Sequence, residues 1–329
     1  MKISKIDYYL PEKELSNTDL KVEFPEWDYE KFEQKVGVQS RRIANELETA
    51  LDLGFLAAQK IITDDDRQTI DYLLFCTQSP DYFLPSGSCI LQDRLKLNKE
   101  IGALDFNLGC SGFVYGLSIA KGLIKGQIAK KVLLITAETY SKQIHPKDLV
   151  NRAIFGDGAA ACIIEVSDEE KIGIFMLGTD GSGADKLITK NGAFRFPSEN
   201  NPEIKTNGLN YYTDNNLYMN GPDIFNFTIE MVPVLINQTL AKNCLNIEDV
   251  DYFIYHQANA YMLNFLRKLS NIPKERFYVD LSNTGNTVSS TIPIAIVESI
   301  KNKKIREGHK VLIAGFGVGF SWGATIITI

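Results

Sequence analysis

Histidine is scarce in this chain, with three residues, His145, His256 and His309, among 329. None sits at metal-ligand spacing, and the five cysteines, Cys76, Cys89, Cys110, Cys162 and Cys244, contain no C-x-x-C pair. That dispersed, odd set suggests neither a disulfide framework nor structural zinc. No uninterrupted apolar stretch of about 18 residues occurs, and the opening MKISKIDYYLPEK lacks the apolar core of a secretory signal. No membrane span is expected, and cytoplasm is the expected compartment. Positive charge is also in deficit: 35 Lys and Arg face 41 Asp and Glu, a net charge of −6. No overall field would therefore draw the protein to nucleic acid or anionic lipid, although local basic patches stay open.

The remaining composition is that of a folded protein. With 44% hydrophobic and 23% charged residues the chain can fill a core, and its length allows one large unit or two ordinary domains. Apolar runs that read as buried strands, Tyr72–Thr77, Lys131–Ala137, Ala159–Val166, Tyr252–Tyr255, Lys310–Ala314 and Ala324–Ile329, alternate with helical patterns such as Gly112–Lys125 and Pro293–Lys301. This alternation predicts an α/β layered architecture.

The chain also resembles itself. DYLLFCTQ at Asp71 matches DYFIYHQA at Asp251, an offset of 180, and Lys131 of KKVLLITAE matches Lys310 of HKVLIAGFG, an offset of 179. Between them DFNLGCSG from Asp105 faces DLSNTGNT from Asp280, an offset of 175. Three matches in one order predict a tandem duplication whose halves pack as pseudo-equivalents, 1–170 and 171–329, with a functional seam where equivalent loops converge. Residues 181–220, rich in Gly, Asn, Pro and aromatics, match nothing in the first copy and read as an insertion. Composition leaves it either a lid or tunnel wall, or a surface excursion.

Cys110 falls in Gly109-Cys110-Ser111-Gly112, between the strand pattern Ile101–Phe106 and the helical pattern that follows. A thiol at a helix start is expected to have a lowered pKa and to favour thiolate. The ordinary alternative is a buried cysteine in a tight turn. His256 ends the strand Tyr252–Tyr255, where a lone histidine is usually structural, yet the duplication aims it at the same seam as Cys110. Asn286, in Asn283-Thr284-Gly285-Asn286-Thr287, reads by itself as a turn or cap residue. His145 and His309 lie in polar turns and read as surface residues.

Taken in order, Tyr9-Leu10-Pro11-Glu12, Asp105 through Phe113, Phe155-Gly156-Asp157-Gly158-Ala159, His256-Gln257-Ala258-Asn259, Gly285-Asn286-Thr287 and Gly315 through Gly323 resemble the β-ketoacyl-acyl-carrier-protein synthase III group of the thiolase-like condensing enzymes. The resemblance spans nearly the whole chain. It implies a thiolase-like fold layered α/β/α/β/α, commonly a homodimer, with no metal or redox cofactor. It assigns Cys110, His256 and Asn286 to catalysis, the backbone N–H groups of Cys110 and Val318 to an oxyanion hole, and Leu84, Phe316, Asn259 and Lys35 to substrate contacts.

The implied reaction loads an acyl thioester on Cys110 and condenses it with a malonyl thioester, with acyl carrier protein as partner. Tyr261 and Leu149 stand where the family often has arginines for the carrier, which weakens coenzyme A as the primer's carrier. Leu84 replaces a residue, often phenylalanine, that crosses the dimer and closes the acyl pocket, so a primer longer than acetyl is expected. Arg267–Lys268 and Lys301–Arg306 are candidate basic patches for an acidic carrier, though solvated helix faces are the ordinary reading. Two other functions fit the same residues: acyl transfer to an alcohol or amine with histidine as base, and a non-catalytic carrier-binding subunit.

Overall fold

The apolar runs pair into two sheets in a computed structural model that describes residues 1–207 and 210–329. Gly208 and Leu209, within the 181–220 insertion, lie outside the described residues. The first sheet runs in the order Lys2–Tyr9, Gly158–Glu165, Lys131–Glu138, Tyr72–Cys76, Gly102–Phe106. The second runs Met176–Thr179, Ser321–Thr328, Lys310–Gly317, Tyr252–Tyr255 when read in the matching direction.

The two sheets share one pairing scheme. In each, the first two neighbours are antiparallel and the next is parallel. Register repeats as well: Tyr72 faces Val132 and Val132 faces Ile164, while Tyr252 faces Val311 and Val311 faces Ile327. Even the strand entry is copied. Asp71 Oδ2 accepts from the Lys131 N–H at 2.9 Å, and Asp251 Oδ2 from the Lys310 N–H at 2.8 Å. The fifth strand of the first sheet is reduced in the second to a single parallel bridge between Phe253 and Phe277.

Between the sheets lie the helices Gly112–Lys125 and Thr291–Lys301, the second starting two residues before the Pro293 of the sequence pattern. Both are apolar on more than one face because each packs against strands above and below. Phe113, Val114, Leu117, Ile292 and Ile296 share one core with Leu134, Ile164, Ile254, Ile313 and Ile327. Ala50–Gln59 and Gly87–Arg94 cover the outer face of the first sheet. Gly221–Lys242 and Ala260–Leu269 cover that of the second. The result is the five-layered thiolase-like α/β/α/β/α arrangement. By length and composition Gly221–Lys242 could cross a membrane, but here Val232, Leu235, Ile236 and Leu240 are buried in the core over the second sheet.

Lys2–Tyr9 was not legible as a strand, because it lies at a sheet edge with every residue only half-buried and carries charges throughout. Parallel strands place their carboxyl ends together, so Cys110 after Gly102–Phe106 and His256 after Tyr252–Tyr255 reach the seam from opposite halves.

The halves touch without room for a side chain. A Cβ added at Gly315 would meet the Cys110 carbonyl oxygen at 2.6 Å and Ser111 Cα at 2.8 Å, both backbone atoms that cannot swing aside. Gly315→Ala should therefore lower the thermal midpoint by several degrees, corresponding to an overpacking cost of about 1–3 kcal/mol. An unchanged midpoint in calorimetry would mean that the seam yields freely.

Candidate active site

Cys110 is buried ahead of the Gly112–Lys125 helix, beside an apolar cluster of Tyr140, Ile144, Phe155, Leu187, Leu217 and Val288. A cavity of about 200 Å³ opens against it, and the same cavity is lined by His256, Asn286, Asn259 and Phe316. The structure thus brings together the three residues picked out by the sequence and two of the four proposed substrate contacts. Asn259 has a second task, accepting from the Met262 N–H at 2.8 Å as the cap of the Ala260–Leu269 helix.

The asparagine is held by its backbone and its side chain alike. Its N–H donates to the Ile154 carbonyl at 2.9 Å, and its carbonyl accepts from the Gly156 N–H at 3.1 Å. Gly285 before it has φ +62°, and a Cβ there would meet the Ile154 oxygen at 2.6 Å, so only glycine suits that approach. Asn286 Oδ1 accepts from the Val288 N–H at 2.8 Å, which turns the amide nitrogen toward His256. Val288 holds φ +55°, a left-handed backbone that typically costs a β-branched residue about 1–3 kcal/mol. The surrounding packing sustains that strain beside the reacting atoms.

His256 Nδ1 lies 2.7 Å from the Thr291 hydroxyl. When that hydroxyl donates to Nδ1 instead of to the Val288 carbonyl 3.1 Å away, the neutral ring carries its proton on Nε2, facing Asn286. Asn286 Nδ2 and His256 Nε2 are 3.5 Å apart, long for a direct bond and suited to two donors sharing one oxygen. Burial holds the His256 pKa down to about 3, so the ring is neutral at ordinary pH.

Cys110 departs from the sequence expectation. Burial pushes its thiol up to about 12; the N–H groups of Val318 and of Cys110 itself, directed at the sulfur, pull it back only partly, and the nearby Glu138 raises it further. A helix start lowers a thiol pKa when solvent also shares the charge, and this sulfur is dry. The resting group is thiol rather than thiolate. Those same two N–H groups are the oxyanion donors assigned from the sequence, and they belong to opposite halves.

Lys35 and Leu84 are not brought to this cavity. Lys35 lines a separate surface pocket with Tyr261 and Lys268, its ammonium 5.2 Å from the Tyr261 ring centre. Leu84 is 80% exposed, beside exposed Tyr82 and Phe83. Leu149 is buried against Leu20 and Ala153, which suits its apolar character. Part of the 181–220 insertion walls the site: Leu187–Thr189 pairs with Leu217–Met219, and Leu187 and Met219 line the cavity.

Sequence reasoning missed Thr291, Val288 and Glu138. Only Glu138 left a signal, a carboxylate closing the apolar run of a buried strand. Its carboxyl accepts from the Gln78 N–H at 3.0 Å, the Ser79 hydroxyl at 3.2 Å and the Ser289 hydroxyl at 2.9 Å.

Comparison with known proteins agrees with this geometry. Residues 104–181 match the family model for 3-oxoacyl-[acyl-carrier-protein] synthase III, and residues 240–329 match that of its C-terminal region. A β-ketoacyl-[acyl-carrier-protein] synthase III of Clostridium perfringens is 35% identical over 325 residues, covering 98% of this chain and 97% of the relative. The chain belongs to the β-ketoacyl-acyl-carrier-protein synthase III family. Among solved structures, a 3-oxoacyl-(acyl-carrier-protein) synthase III at 43% identity superposes with a TM-score of 0.97, covering 100% of this chain and 99% of the other. Another, from Burkholderia xenovorans, is 32% identical with a TM-score of 0.92, covering 100% of this chain and 93% of the other. This synthase III family member is accordingly a condensing enzyme of the acyltransferase type.

Burial raises the Glu138 pKa from 4.5 to about 8. Between those values the folded protein keeps a proton that the unfolded chain has released, so this group's contribution to stability falls as pH rises through the window. Glu138→Gln should remove that slope. The midpoint of the variant relative to the parent should rise steadily from pH 5 to pH 8 in thermal melts; parallel curves would show Glu138 ionised throughout.

Proposed function

We propose that the enzyme parks an acyl group on Cys110 and condenses it with a malonyl thioester. The observation that carries this reading is the meeting of Cys110, His256 and Asn286 on one cavity. In loading, the Sγ–acyl bond forms as the carrier's C–S bond breaks, and the thiol proton ends on the released carrier thiol. The tetrahedral oxyanion is held by the N–H groups of Cys110 and Val318. The malonyl thioester then loses CO₂, and its electron pair moves to an enolate oxygen held between His256 Nε2–H and Asn286 Nδ2–H. The enolate carbon attacks the acyl-cysteine. Collapse releases the 3-oxoacyl thioester, and the Cys110 thiolate regains a proton from water.

A histidine whose pKa is about 3 is a poor base and a good neutral donor. That favours condensation over acyl transfer to an alcohol or amine, which needs His256 to take a proton. It also supports a catalytic protein over a carrier-binding subunit, because the strained Val288 and the fixed amide stand beside the cavity. Every electron pair in the cycle starts and ends on substrate or sulfur, so the proposed chemistry requires no metal or redox cofactor.

The proposal further divides the labour between 1–170, with the nucleophile, and 171–329, with the two donors. Acyl carrier protein is the proposed partner, met near Lys35, Arg267 and Lys268. A homodimer is proposed from the exposed tip Tyr82-Phe83-Leu84, with Phe83 tilted against the exposed Phe194 at 5.5 Å between ring centres. The primer is proposed to be longer than acetyl. A reducing cytoplasm, which keeps Cys110 free, is the proposed location.

Three variants separate the steps. Cys110→Ala should abolish acylation by mass spectrometry. His256→Ala and Asn286→Ala should keep acylation while lowering malonyl-dependent CO₂ release about 100-fold or more, the loss usual for one oxyanion donor. Acyl transfer to an alcohol without CO₂ release would instead favour the simpler transferase, and no adduct at all would favour the binding subunit. For the partner, charge reversal at Arg267 and Lys268 should weaken carrier-protein affinity severalfold in calorimetric titration; unchanged affinity would remove that patch.

A further inference from the structure

Cys110 lines one space and lies near a second. One is the cavity of the catalytic residues, which continues to Ile224, Thr228 and Met262 and so toward the Ala260–Leu269 helix. The other is a chamber of about 420 Å³ whose wall nearest the sulfur is Leu187, Leu217 and Val318, members of the same apolar cluster as Cys110. Gln78 brings the chamber close to the reacting loop: a Cβ at Gly109 would fall 2.4 Å from Gln78 Oε1 and 2.7 Å from Val318. With the carrier arm in the first cavity, an acyl chain on the sulfur has the second chamber ahead of it.

Past that apolar rim the chamber is polar. Gln78 Oε1 accepts from the Tyr140 hydroxyl at 2.5 Å, and Gln78 Nε2 donates to Asn107 Oδ1 at 2.9 Å. On the facing side the Thr189 hydroxyl donates to Gln143 Oε1 at 3.0 Å. These bonds leave capacity unspent: Gln78 keeps a second amide N–H, and the Tyr140 and Thr189 oxygens keep lone pairs. Among the described residues no Lys, Arg, Asp or Glu lines the chamber.

We propose that this chamber receives the primer's acyl chain and selects one that ends in a neutral polar group, a hydroxyl or carboxamide, over a plain alkyl chain. The inference rests on the loading of Cys110 set out above and names its substrate class. An alkyl end would displace water from the glutamine, tyrosine and threonine without replacing its hydrogen bonds, and a carboxylate end would find no cation there. A hydroxyl or amide can both donate and accept, which is what the lining offers.

Pantetheine thioesters of hexanoate, 6-hydroxyhexanoate, adipamate and adipate test this without coenzyme A's phosphates. Initial rates of Cys110 acylation are read by intact-protein mass spectrometry. The hydroxy and amide chains should load about tenfold faster than hexanoyl, the factor of one neutral hydrogen bond, and the carboxylate slowest. Gln78→Leu and, independently, Thr189→Val should bring hexanoyl level with 6-hydroxyhexanoyl while hexanoyl itself still loads. Hexanoyl loading as fast as the polar chains in the parent enzyme, or a preference that survives both variants, overturns the polar chamber. Failure of every thioester to modify Cys110 overturns the loading reaction instead.

Discussion

The fit of the Lys310–Gly317 strand against the turn at Cys110 is the contact on which the rest depends. Side-chain volume is absent there on one side because backbone occupies it on the other, so the two halves meet at bond-length tolerance rather than through a compliant layer. Hydrogen bonds fasten the same seam. Ser111 meets Ser321 hydroxyl to hydroxyl at 2.7 Å, Thr136 meets Ser290 at 2.9 Å, and Ser289 reaches Glu138. One consequence is positional accuracy: Cys110 and Val318, the proposed oxyanion donors, come from different halves and still meet in one apolar cluster. The other is burial, since Cys110, His256 and Asn286 are almost wholly removed from the surface.

Burial then sets the protonation states. Buried in the same place, the histidine stays neutral and the cysteine stays a thiol, each in its uncharged form because neither has a partner charge to offset desolvation. In the proposed cycle negative charge appears only transiently, on oxygens that meet N–H donors and on the Cys110 sulfur as the product leaves. Such donors are worth more where no solvent competes, and they need no reorganisation when the charge arrives. Glu138, whose pKa burial raises to about 8, is likewise uncharged below that pH.

Substrate recognition is distributed differently from catalysis. Cys110 and His256 sit at a helix start and a strand end that the fold fixes and Asn286 on a backbone bridge to Phe155, whereas the walls around them come from loops and from the hairpin within 181–220. Changes at Leu149 and Tyr261 are accommodated by packing: the leucine is buried with Leu20, and the tyrosine stacks on Phe225 at 5.9 Å. A constant reaction centre with variable walls is what this division permits.

The α/β character was legible in the sequence alone, which also pointed to a duplication and singled out Cys110, His256 and Asn286, residues that the fold places on one cavity. Strand periodicity and paired motifs are local patterns, and both halves write them in the same order. Other features were beyond local pattern. The half-buried edge strand Lys2–Tyr9 takes its stability from pairing with Gly158–Glu165, and Thr291 supports a histidine 35 residues away. The role of the insertion was undetermined until Leu187 and Leu217 were seen beside Cys110. Only the tertiary structure decided the charge state of the nucleophile. A helix start favours thiolate, but burial opposes it more strongly, and burial is a property of everything packed around a residue rather than of its neighbours in sequence.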